Sequence, residues 1–172
     1  REFCTINRGT TQDKGETIIG DDNWIMAYVH IAHDCIIKNN CILANASNIA
    51  GHVEIDDFAI LGGFTGVHQF CKIGSHVITA VGTVVYKDIP PYIIAAGNDS
   101  HTRPNGINIE GLKRRGFSKE AISGIKKGYK IIYREGNSIE DAISQLHNLS
   151  KEVAEVALYI DFISKSQRGL VR

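Results

Sequence analysis

The sequence has 172 residues, of which 43% are hydrophobic and 22% charged, and its formal net charge is zero. This length suffices for one sizeable core, alone or with a small appended domain, and the neutral balance argues against a dedicated nucleic-acid-binding protein. No apolar run reaches membrane-spanning length and no signal peptide precedes the first residue, so we expect a soluble intracellular protein.

A six-residue repeat dominates the first part of the chain. Every sixth residue from Ile19 to Val85 is Ile, Leu or Val, except Thr79. Neither an α-helix nor an alternating strand has this period, whereas a solenoid with three short parallel strands per triangular turn does. The residue four places after each aliphatic one is mostly small, and this position includes Cys35, Cys41 and Cys71. We therefore predict a parallel β-solenoid over residues 1–97, with these thiols as interior packing residues and not metal ligands.

The predicted elements follow in chain order. Residues 1–6 look like the end of an earlier coil, so we expect further coils upstream, and the polar residues 7–17 break the repeat as an excursion loop. Residues 19–90 supply four coils of 18 residues. Pro90 and Pro91 are predicted to end the strands, because proline cannot donate a hydrogen bond to a neighbouring strand.

Residues 98–172 are predicted to form a small α-helical domain. A short helix is expected around residues 107–116. Ser118 is a predicted N-cap for a helix to about residue 134, and Ser138 for a helix to about residue 149. Ser150 is predicted to precede a last helix that ends near residue 166. This part carries 13 Lys and Arg against 9 Asp and Glu, the reverse of the acidic excess in residues 1–97.

Several histidines are expected to gather on the outside of the solenoid. His33, His52 and His68 lie in hexads 18 residues apart, which predicts that they stack on one face, with His30 at the corner leading into that face. In the same register, His33, Gly51 and Gln69 form one column. Outward histidines on a solenoid have no packing reason to congregate, so the cluster indicates a functional site.

The residues alone leave three interpretations of this cluster open. Three histidines and a water are typical of a catalytic zinc site, as in the β-solenoid carbonic anhydrases. Alternatively, His33 is a general base that Asp34 orients, while the backbone N–H of Gly51 stabilises an oxyanion in acyl transfer. A purely structural trimeric solenoid is the third interpretation.

Three stretches of sequence carry a family resemblance. They are "HIAHDC" from residue 30, "GGFTGVHQFCKIG" from residue 62 and "GNDSHTRPNGINIEGLKRRGFS" from residue 97. Together they resemble the UDP-N-acetylglucosamine O-acyltransferases of lipid A biosynthesis. The resemblance implies a left-handed parallel β-helix followed by helices, assembled as a homotrimer in the cytoplasm of a Gram-negative bacterium. The sister sugar-nucleotide N-acyltransferases share the prism and are the alternative within this superfamily.

The resemblance also implies a reaction. An (R)-3-hydroxyacyl group would pass from acyl carrier protein to the 3-hydroxyl of UDP-N-acetylglucosamine, with neither cofactor nor metal. His33 matches the general base and Gly51 the oxyanion position. Substrate-binding positions are matched by His30, His52, His68, Gln69, Asn108, Glu110, Arg114 and Arg115. Val81 and Asp99 match positions that set acyl-chain length, and Val81, which is glycine in members with longer chains, is expected to shorten the acyl slot.

Overall fold

The structure is a computed structural model that describes residues 1–13, 15–97 and 102–172. Thirteen strands of two residues are followed by two longer strands and then by helices. The strands are β1 Thr5–Ile6, β2 Ile18–Ile19, β3 Trp24–Ile25, β4 His30–Ile31, β5 Ile36–Ile37, β6 Ile42–Leu43, β7 Asn48–Ile49, β8 Glu54–Ile55, β9 Ile60–Leu61, β10 Gly66–Val67, β11 Lys72–Ile73, β12 Ile78–Thr79, β13 Val84–Val85, β14 Ile93–Ala96 and β15 Arg103–Ile107.

These strands form the three walls of a triangular solenoid, as the repeat predicts. Sheet A has the order β1-β4-β7-β10-β13, sheet B the order β11-β8-β5-β2, and sheet C the order β15-β14-β12-β9-β6-β3. Neighbouring strands are parallel except for β14 and β15, and His30 pairs with Asn48, one 18-residue coil further on. Thr5, in contrast, pairs with His30, which is 25 positions away. The additional residues form the excursion loop predicted between β1 and β2.

The interior of the solenoid is a stack of aliphatic side chains. The second residue of each central strand is fully buried, as for Ile31, Ile49 and Leu61. Cys35, Cys41 and Cys71 are also fully buried, which confirms their predicted role. Burial raises the pKa of Cys41 to about 11 and that of Cys71 to about 12. Because the thiolate is the reactive form, these cysteines are inert packing groups.

Each corner of the solenoid contains a residue in the left-handed backbone region. A positive φ recurs at every sixth residue from Asp22 to His76, and ordinary side chains, not glycines, hold all of these positions. Left-handed backbone is unfavourable for such residues, so each corner must be held by the coil beside it. The backbone supplies this support: the N–H of His52 donates to the carbonyl of His33, and that of Phe70 to the carbonyl of Gly51.

The strands continue beyond the proline pair, so the predicted end of the strand pattern is wrong. β14 adds a further strand to sheet C after Pro90 and Pro91. Pro91 lies in a corner just before Tyr92, which has a φ of 70°. The first central residue of a turn accepts the fixed φ of proline and loses no ladder hydrogen bond there. β15 then pairs antiparallel with β14 and leads to the helices.

In the described residues 102–172, four α-helices follow the solenoid: α1 Ile109–Arg114, α2 Lys119–Tyr133, α3 Ile139–Ser150 and α4 Ala157–Ser164. Ser118 and Ser138 cap α2 and α3 as predicted. The predicted start of the last helix is wrong, because Ser150 is the final residue of α3, and a 3-10 turn, Ala154–Val156, leads into α4. No helix within the described ranges is long and apolar enough to cross a membrane.

Candidate functional site

The predicted histidines come together, but their positions within the hexads differ from the prediction. His30 begins strand β4 and lies on sheet A, not at a corner. His33 and His52 lie in the turns between sheets A and B, and His68 directly follows β10. The prediction counted each hexad from its aliphatic residue and placed the residues that follow it on the face. The aliphatic residue is the second residue of a two-residue strand, so the corner comes two to three residues after it.

His33 and Gly51 are in direct contact, as the predicted column requires. A Cβ atom placed on Gly51 would lie 2.7 Å from Cε1 and 2.8 Å from Nε2 of the His33 ring. Only glycine therefore allows the imidazole to rest on this turn. Within the described residues, the N–H of Gly51 also has no hydrogen-bond acceptor. The turn thus presents a free N–H donor beside the imidazole.

Asp34 fixes the orientation of the His33 ring. The Nδ1 atom of His33 lies 2.9 Å from Oδ2 of Asp34, whose side chain is fully buried, while the His33 side chain is 41% exposed. An ionised carboxylate only accepts hydrogen bonds, so Nδ1 carries the hydrogen and Nε2 keeps its lone pair. This is the tautomer that a general base requires.

The Asp34 carboxylate is ionised despite its burial. Burial alone would raise its pKa, but hydrogen bonds from the His33 ring and from the hydroxyl and N–H of Thr10, with a smaller electrostatic contribution from His52, outweigh it and lower the pKa to about 2. The Thr10 hydroxyl is 2.8 Å from Oδ2. Thr17 accepts a hydrogen bond from the backbone N–H of Asp34. The excursion loop therefore covers the acid that supports the base.

His52 lies beside this pair and has a second carboxylate of its own. Its Nδ1 atom is 2.6 Å from Oδ2 of Asp13, also in the excursion loop. The ring meets His33 edge to face, with the centroids 5.0 Å apart, and stacks on Phe70 at 4.5 Å. Both imidazoles thus have the same arrangement, with Nδ1 on a carboxylate and Nε2 directed elsewhere.

A groove on the outer side of sheet A runs past these residues. It has a volume of about 480 Å³ and is lined by His30, Ala32, Asn48, Ile49, Ala50, Gly51, Gly66, Val67, His68, Val84 and Tyr86. The Nδ1 atom of His30 is 2.7 Å from the hydroxyl of Thr5. Gln69 stands in the turn above Gly51, in the register predicted for it. The lining is mostly apolar with a few polar groups, which is typical of a ligand site.

The four substrate-binding residues predicted around α1 lie at a different corner. The side-chain amide of Asn108 caps α1 and donates to the carbonyl of His76, between sheets B and C. Arg115 donates to the carbonyl of Phe58 at the same corner, and its guanidinium lies 5.0 Å from the centre of that ring. Glu110 and Arg114 are on the same short helix. The ion pair with Lys113 lowers the pKa of Glu110. A single chain does not bring this group to His33.

The two chain-length positions have different outcomes. Val81 is 76% exposed and lies in the corner that precedes strand β13 of sheet A, where Val84 lines the groove. Asp99 lies outside the described residues, so its predicted role stays a prediction.

Three residues of the site were not found from the sequence. Thr10 and Asp13 belong to a polar loop whose contacts have no periodic signal. Arg168 is 100 positions from His68, yet its Nη2 atom lies 3.3 Å from Nδ1 of that ring. Only the threonine-rich composition of the loop could have suggested that it binds a carboxylate.

The geometry favours acid–base chemistry over metal binding. His33, Asp34 and His52 place one potential ligand atom each within 4.8 Å of one another. The Nδ1 atoms of both rings, however, are already hydrogen-bonded to Asp34 and Asp13. Thr10 takes up both oxygens of the Asp34 carboxylate. The Nδ1 atoms and the Asp34 oxygens thus already have partners within the chain. The Nε2 atom of each ring remains for a ligand.

A triangular solenoid with such a histidine defines the class of protein as a hexapeptide-repeat transferase. Residues 16–51 match the family model described as bacterial transferase hexapeptide (six repeats). Residues 88–171 match a second model, described as UDP N-acetylglucosamine O-acyltransferase, domain 2.

Curated and solved relatives match the whole length of the chain. The acyl-[acyl-carrier-protein]–UDP-N-acetylglucosamine O-acyltransferase of Thiobacillus denitrificans is 56% identical over 172 residues, and that of Burkholderia orbicola 52% over 176. The structure of LpxA from Acinetobacter baumannii matches all of the chain with a TM-score of 0.97 and 44% identity. The chain covers 66% of the length of each of these three proteins. It belongs to the UDP-N-acetylglucosamine O-acyltransferase family.

Proposed function

We propose that the protein transfers a 3-hydroxyacyl group from acyl carrier protein to the 3-hydroxyl of UDP-N-acetylglucosamine, the first step of lipid A biosynthesis. The observation that carries the proposal is the His33 ring, with Nδ1 on the buried Asp34 carboxylate and Nε2 over the Gly51 turn. The names of the relatives supply the two substrates. A nucleotide sugar and an acyl carrier protein are both water-soluble, so we extend the proposal to a cytoplasmic enzyme.

The chemistry follows from the tautomer. Nε2 of His33 takes the proton of the sugar hydroxyl while its oxygen attacks the thioester carbonyl, and Asp34 stabilises the imidazolium that forms. The N–H of Gly51 donates to the oxyanion of the tetrahedral intermediate. When the intermediate collapses, the carbon–sulfur bond breaks and the thiolate leaves with the proton from His33. The products are the sugar ester and the free thiol of the carrier.

The position of α1 supports a homotrimer with sites between chains. Arg115 and His33 stand at different corners of the prism, so a site that uses both must join two copies. The outer side of sheet C suits such a contact because it is a ladder of apolar residues that pair strand to strand. This ladder consists of Trp24, Ile42, Ile60, Ile78 and Ile94. Threefold closure would create three equivalent sites.

A direct assay tests the function. We would incubate the full-length protein with UDP-N-acetylglucosamine and a set of 3-hydroxyacyl carrier proteins and identify the product by mass spectrometry. His33→Ala should lower kcat at least about 100-fold, the contribution usual for a general base. His147→Ala, which changes an exposed histidine on α3, is the matched control. The proposal fails if no sugar ester forms, or if His33→Ala turns over as fast as the control.

A further inference from the structure

The last residues of the chain return to the groove. After α4, the segment 166–171 crosses the end of the solenoid, and Arg168 reaches His68, whose ring lines the groove on sheet A. Leu170 and Val171 are buried, and Leu170 forms a parallel bridge with Asp88. The segment is therefore packed against the fold and gives its side chains fixed positions.

Asp88 holds this segment in place. Its carboxylate is fully buried and accepts hydrogen bonds from the Ser166 hydroxyl at 2.6 Å and from the backbone N–H of Arg168 at 3.3 Å. The backbone of Asp88 also donates to the carbonyl of Gly169 and accepts from Val171. Asp88 occupies the turn one coil above Phe70, at the corner that contains His33. The backbone of Arg168 is thus anchored beside the corner of the proposed active site.

The guanidinium of Arg168 introduces a positive charge that the groove otherwise lacks. None of the described residues that line the groove is Lys, Arg, Asp or Glu. Asp88 uses its oxygens for hydroxyl and backbone donors, and in the described part of the chain no carboxylate lies within ion-pair distance of the Arg168 guanidinium. Arginine has five donors in a planar fork, and the contacts of Arg168 with His68 and with the Cys71 thiol leave others for a ligand.

The contact with Arg168 also bears on which nitrogen of the His68 ring carries the hydrogen. Its Nδ1 atom lies 3.1 Å from the carbonyl of Gln69 and 3.3 Å from Nη2 of Arg168. A carbonyl can only accept and arginine can only donate, so Nδ1 serves one of these two partners at a time; while it accepts from Arg168, the hydrogen is on Nε2. His68 then presents an N–H donor next to a guanidinium. Two adjacent donors, one of them charged, match the oxygens of a phosphate group.

We propose that Arg168, together with His68, binds a phosphate group of a substrate at this end of the groove. The inference rests on the proposed function, because that function supplies the phosphate. Both substrates carry one: the sugar nucleotide has a diphosphate, and the acyl group of the carrier protein is held on a phosphopantetheine arm. The chemistry recognised is the same in either case, and kinetics with each substrate distinguishes the two sources.

The experiment compares full-length wild type with Arg168→Gln and Arg168→Lys. The matched control is Arg172→Gln, which removes an arginine from the same terminal segment but lines a different cavity, with Arg103 and Tyr133. KM and kcat are measured while either substrate is varied, and again with an acyl-pantetheine donor that lacks the phosphate. Thermal unfolding verifies that each variant is folded.

Arg168→Gln should raise KM for one phosphate-bearing substrate about 10- to 100-fold with little change in kcat, as expected when a charged hydrogen bond is lost. The KM of Arg168→Lys should lie between those of the wild type and Arg168→Gln, because lysine keeps the charge but not the planar fork of donors. If KM rises only for the acyl carrier protein, and not for the phosphate-free donor, the group bound by Arg168 is the pantetheine phosphate. An increase confined to the sugar nucleotide assigns the diphosphate.

The inference is overturned if a folded Arg168→Gln protein has the KM values of Arg172→Gln for both substrates. It is also overturned if only kcat falls, since that would indicate a role through the active-site geometry alone. If the wild type itself forms no sugar ester, the proposed function fails and the binding site loses its basis. The two failures are therefore distinguishable in one set of assays.

Discussion

At the scale of single residues, the site depends on a buried carboxylate that stays ionised. The pKa of Asp34 falls from its ordinary value of 3.8 to about 2, because its hydrogen bonds outweigh the effect of burial. A lowered pKa means that the ionised form stabilises the folded state above about pH 4, and that this contribution is lost only as the pH falls towards 2. Activity that is lost on acidification well above pH 4 would therefore not report protonation of Asp34.

Asp34→Asn tests the support that this residue gives to the base. An amide can donate to Nδ1 of His33, which would leave the hydrogen on Nε2 and remove the lone pair that accepts the substrate proton. We expect kcat to fall about 100-fold or more, with the KM values little changed. Steady-state kinetics at several pH values measures this effect. A variant with wild-type kcat would show that the hydrogen bond between His33 and Asp34 has no part in turnover.

Gly51→Ala tests the contact between the His33 ring and the turn of the next coil, which contains Gly51. The new methyl group would lie within 3 Å of the His33 ring, so the ring must move away from the turn. We expect kcat to fall at least about tenfold, because a misplaced catalytic group loses much of its effect. Gly63→Ala is the control: Gly63 precedes a left-handed residue just as Gly51 does, and its added Cβ would meet only Asn45 at 3.4 Å. Equal rates for the two variants would contradict the prediction.

At the scale of elements, the sequence predicted the walls of the solenoid better than its corners. A six-residue period identifies the buried position of each hexad, and Ile31 and Ile49 occupy it as expected. The period alone does not say where in the hexad the chain turns. The prediction therefore exchanged His30 and His33 between wall and corner. The left-handed residues at the corners carry no glycine signal, since hydrogen bonds to the adjacent coil hold them in place.

The contacts of the excursion loop were beyond sequence reasoning for a different reason. Thr10 and Asp13 reach Asp34 and His52, which are 24 and 39 positions away. Such contacts depend on the path of an irregular segment and not on a repeat or a helical period. The same limit applies to Arg168, which meets the groove only after the chain has passed through all four helices.

Val81→Gly tests the acyl-chain slot at the corner that precedes β13. The valine side chain is 76% exposed and projects from the corner that leads into the wall of the groove. Its removal would lengthen the apolar slot by a few methylene groups, each worth about 0.8 kcal/mol when buried. We expect the preference to shift by two or more carbons towards longer 3-hydroxyacyl chains in a competition assay. An unchanged preference would place the end of the slot elsewhere.

At the scale of the whole molecule, the proposed trimer would give each chain halves of two different sites. His33 lies at the corner between sheets A and B, beside the groove on sheet A, while α1 lies across the corner between sheets B and C. In the proposed threefold assembly, we expect α1 of one chain to approach His33 of its neighbour and the apolar ladder on sheet C to be covered. This arrangement also explains why neither Arg114 nor Glu110 meets a histidine of the site within the chain.

Mixed trimers test whether the site is shared. His33→Ala and Arg114→Glu change different halves of the proposed site, and the exposed position of Arg114 should leave the fold intact. Each variant alone should be nearly inactive. If sites lie between chains, random trimers from equal amounts of both variants have one wild-type site in about four, so refolding them together should restore about a quarter of wild-type activity. Sedimentation verifies the trimer. Failure to restore activity in a confirmed mixed trimer would show that each site lies within one chain.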